Sequence, residues 1–410
     1  MVHGPGVPGL GGRPPGPPPC APSRCVDHLW ERSRLEWRLG EPGDPAALAA
    51  GFLAEHGLPG GPAGGVCGAA LLVSAAAAAR LAGADPGPPT PAPEVPDLVV
   101  VVYEHRPRAP RNPHFRGTGY TLAPWRHSWT PAAHAAAVDA VRGAIAAGDV
   151  YQVNVVGHAS AAYRGDPLPA LRRVAALPGA RYGGLLAGPG WALACASPET
   201  LVEVRAGRAT TRPIKGTAPA TPAGREVLLR SAKERAEHVM IVDLERNDLA
   251  RVAKTGTVRV EQLYAVRRWC DLWQAESTIT AELATDDIAA LLRAVCPGGS
   301  VTGAPKLAAL DEIARREPVG RGPSMGALGW VGPDHIDLGL TIRTVAATGG
   351  PDRGTLHVWA GGGITWGSDP DAEVAEAVAK AAPLRTALVP RSLGVEDRGL
   401  QHLVDVERFA

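Results

Sequence analysis

The predicted strands and helices come in groups and do not alternate one by one along the chain. Alternating apolar residues with glycine turns indicate two consecutive hairpin-like segments, at 182–194 and 199–212. Further strands are predicted at 98–103 and 150–162, and near 325–331, 338–346 and 356–360. A doubly wound parallel sheet needs a helix between successive strands. The grouping therefore favours an α+β sheet sandwich.

Four helices are predicted between and after these strands. Two of them open on a capping threonine followed by proline, at Thr130-Pro131 and at Thr221-Pro222. A glycine-rich loop at 296–304 leads into a third. The predicted helices span about 131–147, 221–242, 306–316 and 371–384.

Composition excludes some classes of partner. The 410 residues carry 42 Lys and Arg against 41 Asp and Glu, which gives no overall field to attract nucleic acid or an anionic membrane. The Gly/Pro-rich residues 1–24 are predicted to be disordered. A sheet-forming but divergent N-terminal portion follows at 26–120, and 386–410 is predicted to be a C-terminal tail.

The sequence shows no sign of export. The 6 cysteines have no paired C-x-x-C spacing, and the N-terminus lacks the basic and apolar regions of a signal peptide. The Ala-rich run at 69–84 contains Arg80 and is too short to span a bilayer. We therefore expect unpaired thiols in a reducing cytoplasm, and neither a membrane nor a nucleic acid as partner.

Two predicted helices each carry carboxylates at one-turn spacing. Glu234 and Glu237 lie on one of them, and Glu373 and Glu376 lie on the last, where Lys380 follows on the same face. Carboxylates from two distant helices can converge on Mg²⁺, which proteins hold with few carboxylates and with substrate oxygens. The alternative is that each set is a solvated face paired with nearby basic side chains.

Lys215 lies at a glycine-terminated turn, in the segment Arg-Pro-Ile-Lys-Gly-Thr at 212–217. A lysine at a turn is usually a surface residue. To act as a nucleophile its amine must be neutral, so its pKa of about 10.4 must fall, at about 1.4 kcal/mol per unit. Burial or neighbouring cations would lower the pKa in this way.

Two further features can bind a carboxylate. The glycine-rich segment 297–306 presents backbone N–H groups at a helix start. It is not a phosphate-binding P-loop, because Ala304-Pro305 replaces the required Lys-Ser/Thr, and it can equally be a plain helix entry. Arg343, in an otherwise apolar predicted strand, either points to solvent or clamps a substrate carboxylate.

The order of these segments resembles the chorismate-utilising family, which includes anthranilate synthase component I, aminodeoxychorismate synthase component I, and the isochorismate and salicylate synthases. The resemblance covers roughly residues 125–385, which we interpret as a chorismate-binding catalytic domain. It rests on the segments 148–154, 197–199, 213–217, 237–249, 297–306, 342–343, 361–364 and 368–380.

The resemblance implies a sandwich of two large antiparallel sheets, with helices outside and the active site between the sheets. It also implies Mg²⁺ bound by Glu237 and Glu376, with Glu234 and Glu373 as supporting carboxylates. Glu199 resembles the acid beside the departing ring hydroxyl. The substrate-binding residues implied by the resemblance are Thr302, Gly303, Arg343, Gly363, Lys380, Gly216 and Thr217.

Two positions distinguish branches of the family. Gln152 stands where water-using relatives carry a lysine general base, as it does in ammonia-using members. Lys215 stands where anthranilate synthases carry alanine, and it resembles the nucleophile of aminodeoxychorismate synthase, which attacks C2 of chorismate as the C4 hydroxyl departs. The expected activity is therefore the conversion of chorismate and ammonia to 4-amino-4-deoxychorismate, for p-aminobenzoate and folate or for secondary metabolism.

Alternatives to this activity stay open at the level of sequence. One is an anthranilate or 2-amino-2-deoxyisochorismate synthase. Another is a non-catalytic ligand-binding paralogue, which Ser324 favours because it replaces a tyrosine of the family. The chain shows no Cys-centred glutaminase motif, so the expected ammonia source is a separate glutamine amidotransferase subunit.

Overall fold

The computed structural model describes residues 29–61, 65–105, 120–350 and 352–390. Two β-sheets, of ten and eight strands, form its framework. In chain order the strands are β1 (Leu29–Trp37), β2 (Val66–Val73), β3 (Leu98–His105), β4 (Thr121–Leu122), β5 (Arg126–His127), β6 (Gln152–Arg164), β7 (Tyr182–Gly188), β8 (Trp191–Ser197), β9 (Thr200–Arg205), β10 (Arg208–Arg212), β11 (Ile214–Pro219), β12 (Arg259–Trp269), β13 (Leu272–Glu282), β14 (Gly303–Ala304), β15 (Ala327–Val331), β16 (His335–Leu340), β17 (Thr344–Gly349) and β18 (Arg353–Ile364).

Both sheets are antiparallel. The larger sheet has the strand order β1-β3-β2-β15-β16-β9-β10-β13-β11, and β12 also pairs with β13. The smaller sheet has the order β14-β6-β18-β17-β8-β7, with β4 and β5 pairing to β6. The N-terminal strands β1 to β3 thus belong to the same sheet as strands from much later in the chain.

Capping residues explain where several helices begin. At Thr130 the side chain accepts a hydrogen bond from Ala133 N at 3.1 Å, and Pro131 occupies the first helical position. The helices are α1 (Pro45–Glu55), α2 (Ala75–Leu81), α3 (Pro131–Ala147), α4 (Leu168–Ala175), α5 (Pro222–Arg230), α6 (Ala232–Ala250), α7 (Ile288–Val295), α8 (Lys306–Arg316) and α9 (Pro370–Leu388).

The main apolar core lies between the sheets. It joins Val202 and Leu328 of the larger sheet to Leu193 and Trp359 of the smaller one. A second cluster packs α4 and α9 against the outer face of the smaller sheet, with Leu384 fully buried. The predicted sandwich of two antiparallel sheets with helices outside is therefore confirmed.

Two local predictions were wrong, and one hairpin was missed. The helix predicted at 221–242 is two helices, because Ser231 adopts an extended backbone and its Oγ caps α6 by accepting from Glu234 N at 3.2 Å. The strand predicted at 338–346 is two strands that join different sheets. The hairpin of β12 and β13 was not predicted.

Some expectations fall outside the described ranges. These are the disorder of 1–24, residues 391–410 of the tail predicted at 386–410, and the state of Cys20 and Cys25. The first residues of that predicted tail, 386–388, are instead the end of α9. Among the described cysteines, Cys195, Cys270 and Cys296 form no disulfide bond. Within those ranges, no helix has the length and apolar character needed to cross a membrane.

Candidate active site

A cavity of about 100 Å³ lies between the sheets, where β11 and β13 face β6 and β18. Helices α6 and α9 contribute the remaining acidic side chains. The predicted site residues that line it are Glu199, Lys215, Gly216, Thr217, Glu234, Glu237, Arg343, Gly363, Glu373, Glu376 and Lys380. Gln152, Thr302 and Gly303 are not part of this lining.

Lys215 reaches the cavity because β11 contains a bulge. The pairing of β11 with β13 shifts register between Lys215 and Thr217, which makes Gly216 the extra residue. Gly216 has φ +76°, and a Cβ there would lie 2.6 Å from Leu228 Cδ1. Glycine is therefore required at the bulge. The bulge directs the Lys215 side chain inward, where Nζ donates to Ser300 O at 2.9 Å.

The site lowers the pKa of the Lys215 amine below its usual value of 10.5. Burial is the largest cause, because it disfavours the charged form. The carboxylates of Glu199 and Glu237 act in the opposite direction, and the Lys380 ammonium adds to the lowering. Burial and neighbouring cations were the two causes expected from the sequence to lower the pKa of Lys215. Burial has the larger effect, and it favours a neutral, nucleophilic amine.

Glu199 lies beside Lys215 and is only 3% exposed. Its Oε1 accepts hydrogen bonds from Ser300 Oγ at 2.5 Å and from Ile214 N at 3.2 Å. Burial raises the pKa of the Glu199 carboxyl above 4.5, although the Ser300 hydroxyl and Lys215 oppose the shift. Ser300 therefore links a potential proton donor to a potential nucleophile.

Two helices bring four carboxylates to this one cavity. Glu234 and Glu237 come from the first turns of α6, and Glu373 and Glu376 come from the first turns of α9. Glu237 and Glu373 are buried. The structure thus favours convergence over two separate solvated faces.

Hydrogen bonds hold parts of this acidic cluster in place. Thr365, directly after β18, donates from Oγ1 to Glu237 Oε1 at 2.8 Å and so ties α6 to the smaller sheet. Lys380 Nζ lies 2.7 Å from Glu376 Oε1 and donates to Gly361 O at 2.9 Å. Lys380 therefore offsets part of the negative charge.

The donor set fits a hard divalent cation that the substrate helps to hold. The described residues that line the cavity include no histidine or cysteine, so carboxylate oxygens are the candidate ligands. Among residues the structure describes, no three His, Cys, Asp or Glu side chains form a metal site by themselves. Mg²⁺ commonly takes one or two protein carboxylates and completes its shell with water and substrate oxygens.

Arg343 does not lie in a strand. It occupies the break between β16 and β17, with φ +53°, and its guanidinium lines the cavity. Its Cζ lies 4.3 Å from the ring centroid of Trp269, and Nη1 donates to Lys380 O at 2.9 Å. Burial lowers the pKa of Arg343 to about 10, so it stays cationic at neutral pH. The structure thus favours the carboxylate clamp over the solvent-facing alternative.

Gln152 lies just behind the cavity wall. It is fully buried, and within the described chain neither its amide oxygen nor its amide nitrogen has a hydrogen-bond partner. A Cβ at Gly363 would collide with the Gln152 amide and lie 3.1 Å from Lys215 Nζ. Gly363 therefore leaves room for the Gln152 amide close to the Lys215 amine, and the amide has no hydrogen-bond partner in the described chain.

Thr302 and Gly303 shape the glycine-rich loop. Thr302 Oγ1 donates to Gly298 O at 2.9 Å, within the loop. Gly303 has φ +151°, and a Cβ there would collide with the Gln152 carbonyl oxygen. These two residues position the loop that carries Ser300.

Sequence reasoning missed Ser300, Asn154 and Trp359, all of which line the cavity. Asn154 could have been predicted, because it lies two residues after Gln152 on β6 and its side chain therefore points to the same face of the sheet. Ser324 does not line the cavity. It is fully buried, and its Oγ donates to Thr341 O at 3.2 Å.

Comparison with known proteins gives a family and several relatives. A family model described as chorismate binding enzyme matches residues 97–386. Anthranilate synthase component 1 of Streptomyces coelicolor is 39% identical over 295 residues, which cover 70% of this chain and 56% of that protein. Aminodeoxychorismate synthase component 1 of Bacillus subtilis is 36% identical over 260 residues, which cover 62% of this chain and 54% of that protein. The chain thus spans about half the length of these relatives.

Solved structures show the same fold. Anthranilate synthase component I from Streptococcus pneumoniae superposes with a TM-score of 0.74 and 23% identity, over 92% of this chain and 95% of that one. The menaquinone-specific isochorismate synthase of Escherichia coli superposes with a TM-score of 0.61 and 18% identity, over 89% of this chain and 95% of that one.

Proposed function

Because this chain belongs to the family of chorismate-binding enzymes, we propose that it converts chorismate and ammonia to 4-amino-4-deoxychorismate. The observation that carries the proposal is Lys215. Its amine is inside the cavity, has a lowered pKa and lies beside a buried acid. Relatives named for either anthranilate or aminodeoxychorismate synthesis match at 36–41% identity, so identity does not separate these products.

The proposed reaction is two allylic displacements. The neutral Lys215 amine attacks C2 of chorismate, both ring double bonds shift, and the C4–O bond breaks. The Glu199 carboxyl gives its proton to the departing hydroxyl, which leaves as water, and the new secondary ammonium returns a proton to the Glu199 carboxylate. Ammonia then attacks C4, the double bonds shift back, and the C2–N bond breaks as Glu199 protonates the departing Lys215 nitrogen, which leaves the product amine as an ammonium.

Binding and orientation come from the cavity wall. We propose that Arg343 binds the enolpyruvyl carboxylate, since its stacking on Trp269 and its bond to Lys380 O fix the guanidinium plane. Glu237 and Glu376 would hold Mg²⁺, with Glu234 and Glu373 in support, and the ion would neutralise the ring carboxylate. We propose that the buried Gln152 amide, which has no hydrogen-bond partner in the described chain, hydrogen-bonds ammonia.

The test of this proposal is the identity of the product. Enzyme, chorismate, Mg²⁺ and ammonium salt are incubated with and without a lyase that releases p-aminobenzoate from 4-amino-4-deoxychorismate. We expect p-aminobenzoate only when the lyase is present. Anthranilate without the lyase would instead establish the alternative activity.

We expect the 410-residue chain to use ammonium salts but not glutamine. The relatives named component 1 imply a second component, and we propose that a separate glutaminase subunit supplies the ammonia. Product formation is measured with each nitrogen source at raised pH, where more free ammonia is present. Glutamine turnover by the homogeneous chain alone would contradict this prediction.

We expect Gly363→Ala to impair catalysis more than folding. Its Cβ meets the flexible end of Gln152, which can move, and it comes within 3.1 Å of Lys215 Nζ. Turnover should fall about tenfold or more while Tm stays near that of the unmutated protein. The control is Gly361→Ala on the same strand, whose Cβ collides with the Val155 carbonyl and should lower stability by about 1–3 kcal/mol. Equal Tm losses in the two variants would contradict the prediction.

A further inference from the structure

A second cavity, of about 610 Å³, lies between the outer face of the smaller sheet and helices α3 and α9. We call it the outer cavity and define it by Trp129, His134, His158, Val358, Ala377 and Arg385. Its volume is within the range of about 300–1,000 Å³ that is typical of small-molecule sites. None of the catalytic residues proposed above lines it.

The outer cavity carries a single charge. Among the described residues that line it, Arg385 is the only Lys, Arg, Asp or Glu. Its guanidinium stacks over Trp125 at 5.2 Å, and Nη2 lies 3.4 Å from His127 Nε2, while Nε is buried and without a partner in the described chain. Burial lowers the pKa of His134 to about 4 and that of His158 to about 3, so both are neutral at pH 7.

Beyond Arg385, the lining combines apolar side chains with the neutral His134 and His158 and with the hydroxyls of Ser128 and Thr130. Val358 and Ala381 are almost fully buried, and Val378 is 53% exposed at the edge. Arg385 has no acidic partner among the described residues that line the cavity, and a ligand carboxylate would pair with its guanidinium. Because only one such charge is present, a dianion such as chorismate is a poorer match than a monoanion.

The outer cavity and the active site share a wall. Ala360 lines both of them, on β18. Helix α9 presents Glu376 and Lys380 to the active site, and it presents Ala377 and Arg385 to the outer cavity. A molecule in the outer cavity would therefore touch the helix that we propose holds the metal.

We propose that the outer cavity binds a small monocarboxylate with an apolar body, whose carboxylate pairs with Arg385. The site is separate from the chorismate site and does not depend on the proposed amination. The probe is benzoate, and benzamide is its uncharged counterpart of the same shape. Binding is measured by isothermal titration calorimetry on the full chain.

Benzoate is expected to bind the unmutated protein about tenfold or more tightly than benzamide does, because only benzoate can form a charge-assisted pair with the guanidinium. Arg385→Gln should remove that difference. The matched control is Arg142→Gln, since Arg142 also stacks on a tryptophan, Trp366, but lies outside the cavity. It should leave benzoate affinity unchanged.

Two further variants test whether a loss of binding could come from misfolding or from a change in the active site. Val378→Phe fills the cavity from an exposed position, so it should weaken binding of both probes without lowering Tm. Arg343→Gln alters the active site and should leave benzoate binding intact. The proposal is overturned if benzoate does not bind the unmutated protein, if Arg385→Gln binds it as tightly, or if Arg343→Gln abolishes binding.

Discussion

Lys215→Ala is expected to lose amination of chorismate at C4 by roughly 10³-fold or more, because it removes the nucleophile of the first displacement. Without the lysine, ammonia can add at C2 directly, so traces of anthranilate-type product should replace p-aminobenzoate. Products are resolved by chromatography with mass detection. Lys254→Ala is the control, since Lys254 is an exposed lysine paired with Glu282 outside the cavity. An unchanged rate of C4 amination in Lys215→Ala would show that Lys215 is not a covalent nucleophile.

The pH dependence of the first displacement follows from the lowered pKa of Lys215. Only the neutral amine attacks, so the single-turnover rate of adduct formation should rise with pH. Its half-maximum should lie below the usual lysine value of 10.5. Because ammonia is omitted, the ionisation of ammonium does not contribute to the pH dependence of this rate. Because Glu199 must keep its proton to act as the acid, a fall in rate at higher pH would report deprotonation of Glu199. A profile with no rising limb below the usual lysine value of 10.5 would contradict a lysine nucleophile.

Glu237→Gln and Glu376→Gln are each expected to lower Mg²⁺-dependent turnover by about 10²-fold or more, because each removes one charged ligand of a site with few protein ligands. Their Tm should stay near that of the unmutated protein, since relief of carboxylate crowding offsets lost hydrogen bonds. Turnover is measured across a Mg²⁺ titration. Either variant retaining more than about a tenth of the rate at saturating Mg²⁺ would contradict that ligand assignment.

Asp243→Asn is the matched control for these two variants. Asp243 is a carboxylate on the same helix as Glu237, but its side chain is 63% exposed and pairs with Arg246. This substitution should change neither Mg²⁺ dependence nor turnover. If it lowers both as strongly, the loss in the glutamate variants reflects general electrostatics and not metal ligation.

The sequence was sufficient for the features that depend on local signals. Thr130 and Pro131 marked the start of α3 because a capping side chain and a fixed φ act within one turn. The grouping of strands gave the antiparallel sandwich for a similar reason, since short connections favour antiparallel neighbours. The convergence of the four carboxylates was predicted from their one-turn spacing on each helix, combined with the family resemblance.

The features that the sequence could not predict depend on contacts between distant segments. The Gly216 bulge arises from pairing with β13, so the direction of the Lys215 side chain was not readable locally. Arg343 was assigned to a strand because its neighbours are apolar, yet the backbone there has φ +53°. The unpaired state of Gln152 is set by its approach to Gly363 on another strand.

The most direct test of the account is the mass of the intact enzyme. The enzyme is mixed with chorismate and Mg²⁺ in the absence of ammonia, quenched in acid and weighed by mass spectrometry. Attack by an amine with loss of the C4 hydroxyl predicts a mass increase equal to chorismate less one water, located on Lys215 by peptide mapping and absent in Lys215→Ala. Unmodified enzyme that nevertheless forms 4-amino-4-deoxychorismate when ammonia is added would contradict the account.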